Sequence, residues 1–246
     1  MNTIRVNELF CSLQGEGYNA GTPALFLRLQ GCPVACLYCD TPHAKDPAGG
    51  AEYAIEALGS TLQELAKDTA LLVVTGGEPL LQPVSLLQLI YRDFPCPVHI
   101  ETSGAGLVKF LPALCTLEQR DNIRLNLSPK SAVSLGGTIE LIAYQNAWWA
   151  VNQIKLVWPV EQLDAAEAFF DTYGGTSQLE GRLFIQPLHL CVKVFGSEPS
   201  ADELRQLQAH DYQKQLHQIV ALYSAWVAAH PRWRLSLQLH KLLNVR

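Results

Sequence analysis

The chain has 246 residues, of which 48% are hydrophobic and 17% charged, and its formal net charge is −5. This length and composition exclude a disordered chain, and the negative charge gives no electrostatic reason to expect nucleic acid or an anionic membrane as a partner. No apolar run approaches the roughly 20 residues of a transmembrane helix. The N-terminal stretch MNTIRVNELFCSLQGEG has no basic start followed by an apolar segment, so we expect no secretory signal and a cytoplasmic location, where thiols stay reduced.

Short apolar runs alternate with helical patterns along the chain. The predicted strands are 24–29, 71–75, 98–102, 123–127, 153–158, 183–186 and 234–239. Helices are predicted to begin at the capping boxes Thr61-x-x-Glu64 and Ser200-x-x-Glu203, at Pro83, and at Tyr212, with the last one ended by Pro231. This alternation predicts a single α/β domain, residues 1–246, built on a parallel sheet that is open or curled into a barrel.

Polar or cysteine-containing segments accompany successive predicted strands. They are Gln30-Gly31-Cys32, Thr75-Gly-Gly-Glu-Pro79, Glu101-Thr-Ser-Gly104, Ser128-Pro-Lys130, Lys155 within the fifth strand, and Gln186-Pro187. Turn chemistry explains any one of them. Because the ends of parallel barrel strands open on one face, we expect the segments together to line one site on that face.

Three of the seven cysteines, Cys32, Cys36 and Cys39, have the spacing of metal ligands. The other four are scattered among apolar neighbours and are interpreted as small buried hydrophobic residues. One hypothesis for the three is a structural zinc site completed by His43, but such sites usually stabilise small domains that have little core. The other is an iron–sulfur cluster held by three thiolates, which leaves one iron open to a small molecule.

The C-x3-C-x2-C pattern of these cysteines resembles that of the radical S-adenosylmethionine (SAM) enzymes, and Gly76-Gly77-Glu78-Pro79 resembles their methionine-binding stretch. Within that superfamily the chain resembles the 7-carboxy-7-deazaguanine synthases over nearly its whole length. The segments that carry this resemblance are Leu13-Gln14-Gly15-Glu16-Gly17, Arg28, the cysteine loop, Asp40-Thr41, Thr75 to Pro79, Glu101-Thr-Ser103, Ser128-Pro-Lys130, Gln186-Pro187 and Gln238-Leu-His240-Lys241.

The resemblance implies a fold and a reaction. The fold is a partial (β/α)6 barrel of the radical SAM type, whose N-terminal and C-terminal segments close the active-site face. The reaction is a ring contraction that converts 6-carboxy-5,6,7,8-tetrahydropterin to 7-carboxy-7-deazaguanine with loss of ammonia, on the pathway to queuosine and other 7-deazapurines. The implied cofactors are a 4Fe–4S cluster, SAM and Mg²⁺. The implied partners are the pterin substrate, an electron donor such as flavodoxin, and a second copy of the chain in a homodimer.

The resemblance also implies roles for individual residues, with the radical chemistry itself carried by the cluster and SAM. Cys32, Cys36 and Cys39 would hold the cluster, and Thr41 would offer a hydroxyl to Mg²⁺, although Asp40-Thr41-Pro42 could be a plain turn. The expected SAM contacts are Gly77, whose lack of a Cβ lets the backbone approach the methionine amine, and Ser128, Pro129, Lys130, Gln186, Pro187, Leu188 and His189. The expected substrate contacts are Leu13, Gln14, Gly15, Arg28, Thr75 and the carboxylate of Arg246, with His240 nearby.

Several alternatives remain open at this point. Glu16 is expected to accept N–H donors of the substrate, Glu101 either contacts SAM or caps its strand, and Arg28 either binds a carboxylate or faces solvent. A glycyl-radical-enzyme activase shares the cysteine pattern, but Leu13 to Gly17 and the C-terminal Gln-x-His-Lys favour the lyase. A zinc-stapled binding module is a third possibility. Residues 131–152 match no pattern, and a helix and loop at a dimer interface is one interpretation of them.

Overall fold

A computed structural model of the chain describes residues 2–34, 36, 39–90, 94–115, 122–130, 151–158, 162–173, 179–187 and 209–243. The strands within these residues are β1 (Thr3–Leu13), β2 (Pro23–Leu29), β3 (Ala51–Ala54), β4 (Leu71–Gly76), β5 (Val98–Thr102), β6 (Ile123–Leu127), β7 (Val151–Val157), β8 (Leu183–Gln186) and β9 (Trp233–Leu235). The α-helices are α1 (Ile55–Leu65), α2 (Pro83–Ile90), α3 (Leu107–Leu114), α4 (Leu163–Tyr173), α5 (Ala209–Ala229) and α6 (Leu239–Leu242). Short 3-10 turns lie at Gly17–Asn19, Pro42–Ala44, Ala66–Asp68 and Pro79–Leu81.

All of these strands belong to one sheet, in the order β3-β1-β2-β4-β5-β6-β7-β8-β9. From β2 onwards each neighbouring pair in that order is parallel, whereas β1 runs antiparallel to both β2 and β3. Six parallel strands of four to seven residues, followed by the three-residue β9, make the partial α/β barrel that the sequence predicts. Among the described strands β3 and β9 are the two edges, so these strands do not close a barrel.

The two faces of the sheet differ in chemistry. Val98 and Ile100 of β5 belong to a large apolar core that also contains the helix residues Leu86 and Phe110. Because successive side chains of a strand point to opposite faces, His99 and the other inward-facing residues lie inside the partial barrel. That interior contains a small apolar cluster of Ala24, Leu71 and Val73 and many buried polar residues, which include His99, Asn126, Gln153, Lys155, Gln186 and Ser236. Buried polar groups need hydrogen-bond partners, so side-chain pairs across the barrel must satisfy one another.

The structure corrects three predictions and adds two strands. The capping box at Thr61 is wrong, because α1 begins at Ile55 and Thr61 lies inside it, where its hydroxyl donates to Ala57 O (3.1 Å). The predicted strand 234–239 is too long, since β9 ends at Leu235 and Leu239 begins α6. Strands β1 and β3 were not predicted. Of the cysteines interpreted as buried, Cys96 is buried but Cys11 and Cys115 are exposed.

The remaining strand predictions are confirmed, and three of them, Val98–Thr102, Ile123–Leu127 and Leu183–Gln186, have the predicted bounds. The helices expected at Pro83 and from Tyr212 are present, and the second ends at Ala229, before Pro231. The capping box at Ser200 lies outside the described residues. None of the described helices has both the length and the apolar character needed to cross a lipid bilayer.

His99 is a titratable group in the barrel interior. It is 6% exposed, and its Nδ1 has no hydrogen-bond partner within the described residues. Burial, reinforced by the positive charges of Arg124 and Arg182, lowers the pKa of His99 to about 4. An unfolded chain takes up this proton at the ordinary histidine pKa of about 6.5. The contribution of neutral His99 to stability is therefore complete above pH 6.5 and is lost as the pH falls towards 4.

We expect His99→Gln to weaken this acid sensitivity. In the wild type, the His99 contribution lowers the free energy of unfolding by at most about 1.4 kcal/mol per pH unit between pH 6.5 and 4. The variant should show a shallower decline of Tm over that range, measured by thermal denaturation at half-unit pH steps. His217→Gln, on the exposed surface of α5, is the matched control and should follow the wild type. A His99→Gln profile parallel to the wild type would show that other groups cause the decline.

Candidate functional site

A cavity of about 470 Å³ opens at the carboxyl ends of the parallel strands. Most of the residues singled out in the sequence line it, namely Leu13, Gln14, Gly15, Arg28, Cys32, Cys36, Cys39, Thr41, Thr75, Gly77, Ser128, Lys130 and Gln186. Pro129 and Pro187 are not part of its lining. Leu188, His189 and Arg246 lie outside the described residues. The strand ends therefore form one site, as their polar segments predict.

The loop that carries the three cysteines follows β2 and is closed on itself by hydrogen bonds. Gly31 N donates to Ala44 O (2.8 Å), and Cys32 N donates to Lys45 O (3.0 Å). The side chain of Gln30, only 3% exposed, donates from Nε2 to the backbone carbonyls of His43 (3.2 Å) and Asp46 (2.7 Å). Gln30 thus fixes the two ends of the loop, a role that the sequence does not reveal.

The three thiols are partly buried and all face the cavity. Burial raises the pKa of both Cys32 and Cys36, and the positive charges of Lys130 and Lys45 oppose this rise at Cys36. Within the described residues no three His, Cys, Asp or Glu side chains converge where one metal ion could be held. In a 4Fe–4S cluster each thiolate binds a different iron. Three thiols spread around one cavity fit such a cluster.

The Thr75 to Pro79 turn packs directly against the cysteine loop. Gly77 N donates to Leu29 O (3.0 Å), and Glu78 N donates to Gly31 O (2.8 Å). A Cβ on Gly77 would lie 2.1 Å from Gly31 O and 2.7 Å from Ala44 O. In this structure a side chain at position 77 is therefore excluded by the backbone of the cysteine loop, which the sequence alone does not show.

Glu78 is 1% exposed and joins this turn to the end of β5. Its carboxylate accepts hydrogen bonds from Thr102 Oγ1, from both N and Oγ of Ser103, and from Leu80 N. Burial raises the pKa of Glu78, and these hydrogen bonds oppose the rise. The carboxylate thus holds two neighbouring strand ends at a fixed separation.

Arg28 faces the cavity and not the solvent. Its side chain is 17% exposed, its Nε donates to Glu8 Oε2 (2.8 Å), and its guanidinium lies 5.7 Å from the centroid of the Phe10 ring. Within the described residues its two Nη groups have no hydrogen-bond acceptor. Arg28 can therefore offer a fixed pair of donors to an anionic ligand.

A buried ion pair joins Glu16 to Lys155, which extends from β7 with its side chain 8% exposed. Gln238 Nε2 donates to the other oxygen of Glu16 (2.7 Å), and Lys155 Nζ lies 3.8 Å from Glu101 Oε2. Burial alone raises the pKa of Glu16, but the Lys155 ammonium outweighs it and lowers that pKa to about 2. Burial opposes the charge of Lys155 too, and the two carboxylates outweigh it and raise its pKa. Both partners are therefore ionised at neutral pH.

Two stretches, residues 13–18 and 236–241, cover the cavity and are called the closing segments. Leu239 N donates to Gly15 O (2.9 Å), and a Cβ on Gly15 would lie 2.2 Å from His240 Nδ1. Lys241 Nζ lies 3.7 Å from Asp40 Oδ2, which connects the second segment to the cysteine loop. The expected closure of this face by both segments is thus confirmed.

Glu101 does not simply cap its strand. Its Oε1 accepts hydrogen bonds from Gln14 Nε2 (3.2 Å) and Asn126 Nδ2 (2.9 Å). Asn126 Oδ1 in turn accepts from Asn152 Nδ2 (3.0 Å). The sequence gives one signal for this network, which is the placement of charged or amide side chains inside otherwise apolar strands, as with Lys155 in QIKLV.

Comparison with known proteins gives three kinds of match. Residues 13–122 match the family of 4Fe-4S single cluster domains. The chain is 30% identical to the 7-carboxy-7-deazaguanine synthases of Prochlorococcus marinus and Bacteroides thetaiotaomicron and 29% identical to that of Escherichia coli K12, in each case over 98% of both chains. The crystal structure of QueE from Escherichia coli superposes with a TM-score of 0.62 and 26% identity, covering 97% of this chain and 95% of that one.

We expect each of the variants Cys32→Ala, Cys36→Ala and Cys39→Ala to lose its cluster, because two thiolates leave two irons without protein ligands. The measurements are iron and sulfide content and the visible absorption of anaerobically reconstituted protein. Cys11→Ala and Cys115→Ala, which alter exposed cysteines, should retain the wild-type iron content. Loss of iron in either control, or its retention in any of the first three, would show that the ligands are assigned incorrectly.

Proposed function

The chain belongs to the 7-carboxy-7-deazaguanine synthase family, and we propose from this that it is a radical SAM lyase for 6-carboxy-5,6,7,8-tetrahydropterin. Its product is 7-carboxy-7-deazaguanine, formed by ring contraction with loss of ammonia. The observation that carries the proposal is the meeting of the cysteine loop, the Thr75 to Pro79 turn and both closing segments at one cavity. Full-length identity of 30% to synthases of this name supports it.

The cysteine loop holds the 4Fe–4S cluster through Cys32, Cys36 and Cys39. When bound, the cluster supplies the electron that cleaves SAM and generates a 5′-deoxyadenosyl radical. The protein contributes a loop of fixed shape, closed by Gln30, and two cations, Lys45 and Lys130, that face the same cavity and favour the negatively charged thiolates. The closing segments limit the access of water to this space.

SAM lies along the wall beside the cysteine loop. Gly77, Ser128, Lys130 and Gln186 line the cavity, and we assign them to the methionine, ribose and adenine groups of SAM. The adjoining Pro129, Pro187, Leu188 and His189 complete the expected set. Pro129 O accepts a hydrogen bond from Trp158 Nε1 (3.3 Å), which fixes the backbone of the Ser-Pro-Lys segment beside the site.

The pterin substrate occupies the space under the closing segments. Arg28 and Thr75 are register partners on β2 and β4, so their side chains lie beside each other. The guanidinium of Arg28 binds the substrate carboxylate, and Thr75 adds a hydroxyl. Leu13, Gln14 and Gly15 present backbone and amide groups to the heterocycle. The carboxylate of Arg246 is the remaining substrate ligand in this proposal.

Thr41 is assigned to Mg²⁺. It precedes the Pro42–Ala44 turn, but its hydroxyl does not cap that turn. Its Oγ1 has one hydrogen-bond partner within the described residues, Cys39 Sγ at the long distance of 3.9 Å. A weakly engaged hydroxyl beside the cavity suits an ion that takes few protein ligands and completes its shell with water and substrate oxygens. A flavodoxin-type electron donor and a homodimeric assembly complete the proposal and rest on the family alone.

The reaction is tested with cluster-loaded protein, dithionite, Mg²⁺, SAM and 6-carboxytetrahydropterin under anaerobic conditions. We expect 7-carboxy-7-deazaguanine and ammonia in equal amounts, with many turnovers for each SAM because SAM is regenerated. Cys36→Ala should give no product. Release of one 5′-deoxyadenosine and one methionine for each product would contradict the proposal and indicate a hydrogen-abstracting enzyme that consumes SAM.

Magnesium dependence tests Thr41 separately. Thr41→Ala should keep its cluster and its affinity for SAM but should lose most of its stimulation by Mg²⁺, since displacement of a substrate by about 1 Å can lower the rate on the order of 100-fold. Thr41→Ser retains the hydroxyl and should respond like the wild type. The measurement is a magnesium titration of turnover with iron content determined in parallel. Equal stimulation of the wild type and Thr41→Ala would leave Thr41 as a turn residue.

A further inference from the structure

The two oxygens of the Glu101 carboxylate have different surroundings. Oε1 accepts hydrogen bonds from Gln14 and Asn126, which fix the orientation of the group. Near Oε2 the described residues contribute only Lys155 Nζ, at 3.8 Å, which is beyond hydrogen-bond distance. The side chain is 17% exposed and lines the cavity. A fixed, partly buried carboxylate thus presents one open acceptor to whatever occupies the cavity.

Glu16 differs from Glu101 in this respect. One oxygen of Glu16 already accepts from Gln238 and the other pairs with Lys155. Glu16 was expected from the sequence to read the N–H donors of the substrate, but both of its oxygens are engaged in joining the closing segments to β7. Of these two carboxylates beside Lys155, Glu101 is the one with an oxygen free of hydrogen bonds to the described residues.

The sheet register places Glu101 in line with Arg28. Arg28 pairs with Thr75, and Glu101 follows Ile100, which pairs with Val74. The three side chains therefore stand at one level on three neighbouring strands. With strands roughly 4.8 Å apart, Arg28 and Glu101 begin about 10 Å from each other. A cation at one end of this row and an anion at the other suit a flat bicyclic molecule with a carboxylate at one end and N–H donors at the other.

We propose that Glu101 recognises the substrate, with its Oε2 accepting a hydrogen bond from the 2-amino-pyrimidinone edge of the pterin, and that Lys155 is the positioning residue for this contact. The inference deepens the proposed function and rests on it. The Lys155 ammonium lies between the carboxylates of Glu16 and Glu101 and reduces their mutual repulsion. Glu101 would then select ligands that carry an amino group at C2. A ligand with a carbonyl at C2 would place its oxygen, a hydrogen-bond acceptor, against the acceptor oxygen of Glu101.

The test measures a preference between two ligands and not activity alone. Pterin-6-carboxylate carries the 2-amino group, whereas lumazine-6-carboxylate carries a carbonyl at C2. Each is titrated by anaerobic calorimetry into cluster-loaded protein containing SAM and Mg²⁺. We expect the wild type to prefer the pterin roughly 10- to 100-fold, the value of one hydrogen bond to a charged group. Glu101→Gln, which replaces the open acceptor with a donor, should abolish or invert this preference.

Three further variants sharpen the result. Glu101→Asp keeps a carboxylate and should retain part of the preference. Lys155→Met keeps Glu101 but removes its cationic neighbour, and it should lower the preference. Glu52→Gln, on exposed β3, is the matched control and should bind both ligands like the wild type. Unchanged SAM affinity in each variant shows that the site remains folded.

The possible outcomes separate this inference from the proposed function. If Glu101→Gln weakens both ligands equally, or changes neither, Glu101 has only a structural role and the inference is overturned, while turnover of the carboxytetrahydropterin by the wild type still supports the function. If Lys155→Met keeps the full preference, Lys155 has no positioning role. If the wild type cleaves SAM reductively but binds neither ligand, the function and the inference fail together.

Discussion

The ion pair between Glu16 and Lys155 is the interaction on which the architecture of the site depends. It fastens the first closing segment to β7 from inside the barrel, and Gln238 links the second closing segment to the same carboxylate. Removing one partner of such a buried pair typically costs about 3–5 kcal/mol, because the other charge is left without compensation. Hydrogen bonds hold the backbone of the first closing segment as well. Gly17 N donates to Ser236 Oγ, and Tyr18 N donates to Gln153 Oε1. The cover of the cavity is thus attached to the sheet by polar contacts.

The two faces of the sheet have different roles, the outer one in folding and the inner one in forming the site. The outer face buries continuous apolar surface against helices, which supplies the main driving force for folding. The inner face holds amides and charges, several of which are hydrogen-bonded to one another, as in the chain from Glu101 through Asn126 to Asn152. A network of this kind fixes side-chain orientations before a ligand arrives, and preorganised groups bind without the cost of being ordered. The polar interior is therefore both a structural layer and the floor of the site.

Local patterns in the sequence, together with the family resemblance, were sufficient for the parallel strands and for most of the expected residues of the cavity, but not for Pro129 and Pro187, which do not line it. The cysteine spacing, the Gly-Gly-Glu-Pro turn and each polar strand end are contained in a few consecutive residues, so a short window contains each signal. Contacts between distant residues were not predictable: Glu16 and Lys155 are separated by 139 residues, and Gly77 is confined by a carbonyl of another loop. The prediction of a helix start at Thr61 was wrong because a Thr-x-x-Glu spacing occurs inside helices as well as at their starts. Strand β1 would have been recoverable from the alternation of Ile4 and Val6 with Arg5 and Asn7, which has the two-residue period of a strand.

The contact between the two closing segments has a consequence for biosynthesis. Glu16 and Gln238 are separated by 222 residues, and domains are synthesised from the N-terminus at about 5–20 residues per second. The cysteine loop and the first parallel strands leave the ribosome many seconds before residues 236–241 exist. During that interval the contact of Gln238 with Glu16 cannot form. The cover of the cavity is therefore completed only after the C-terminal segment has been synthesised.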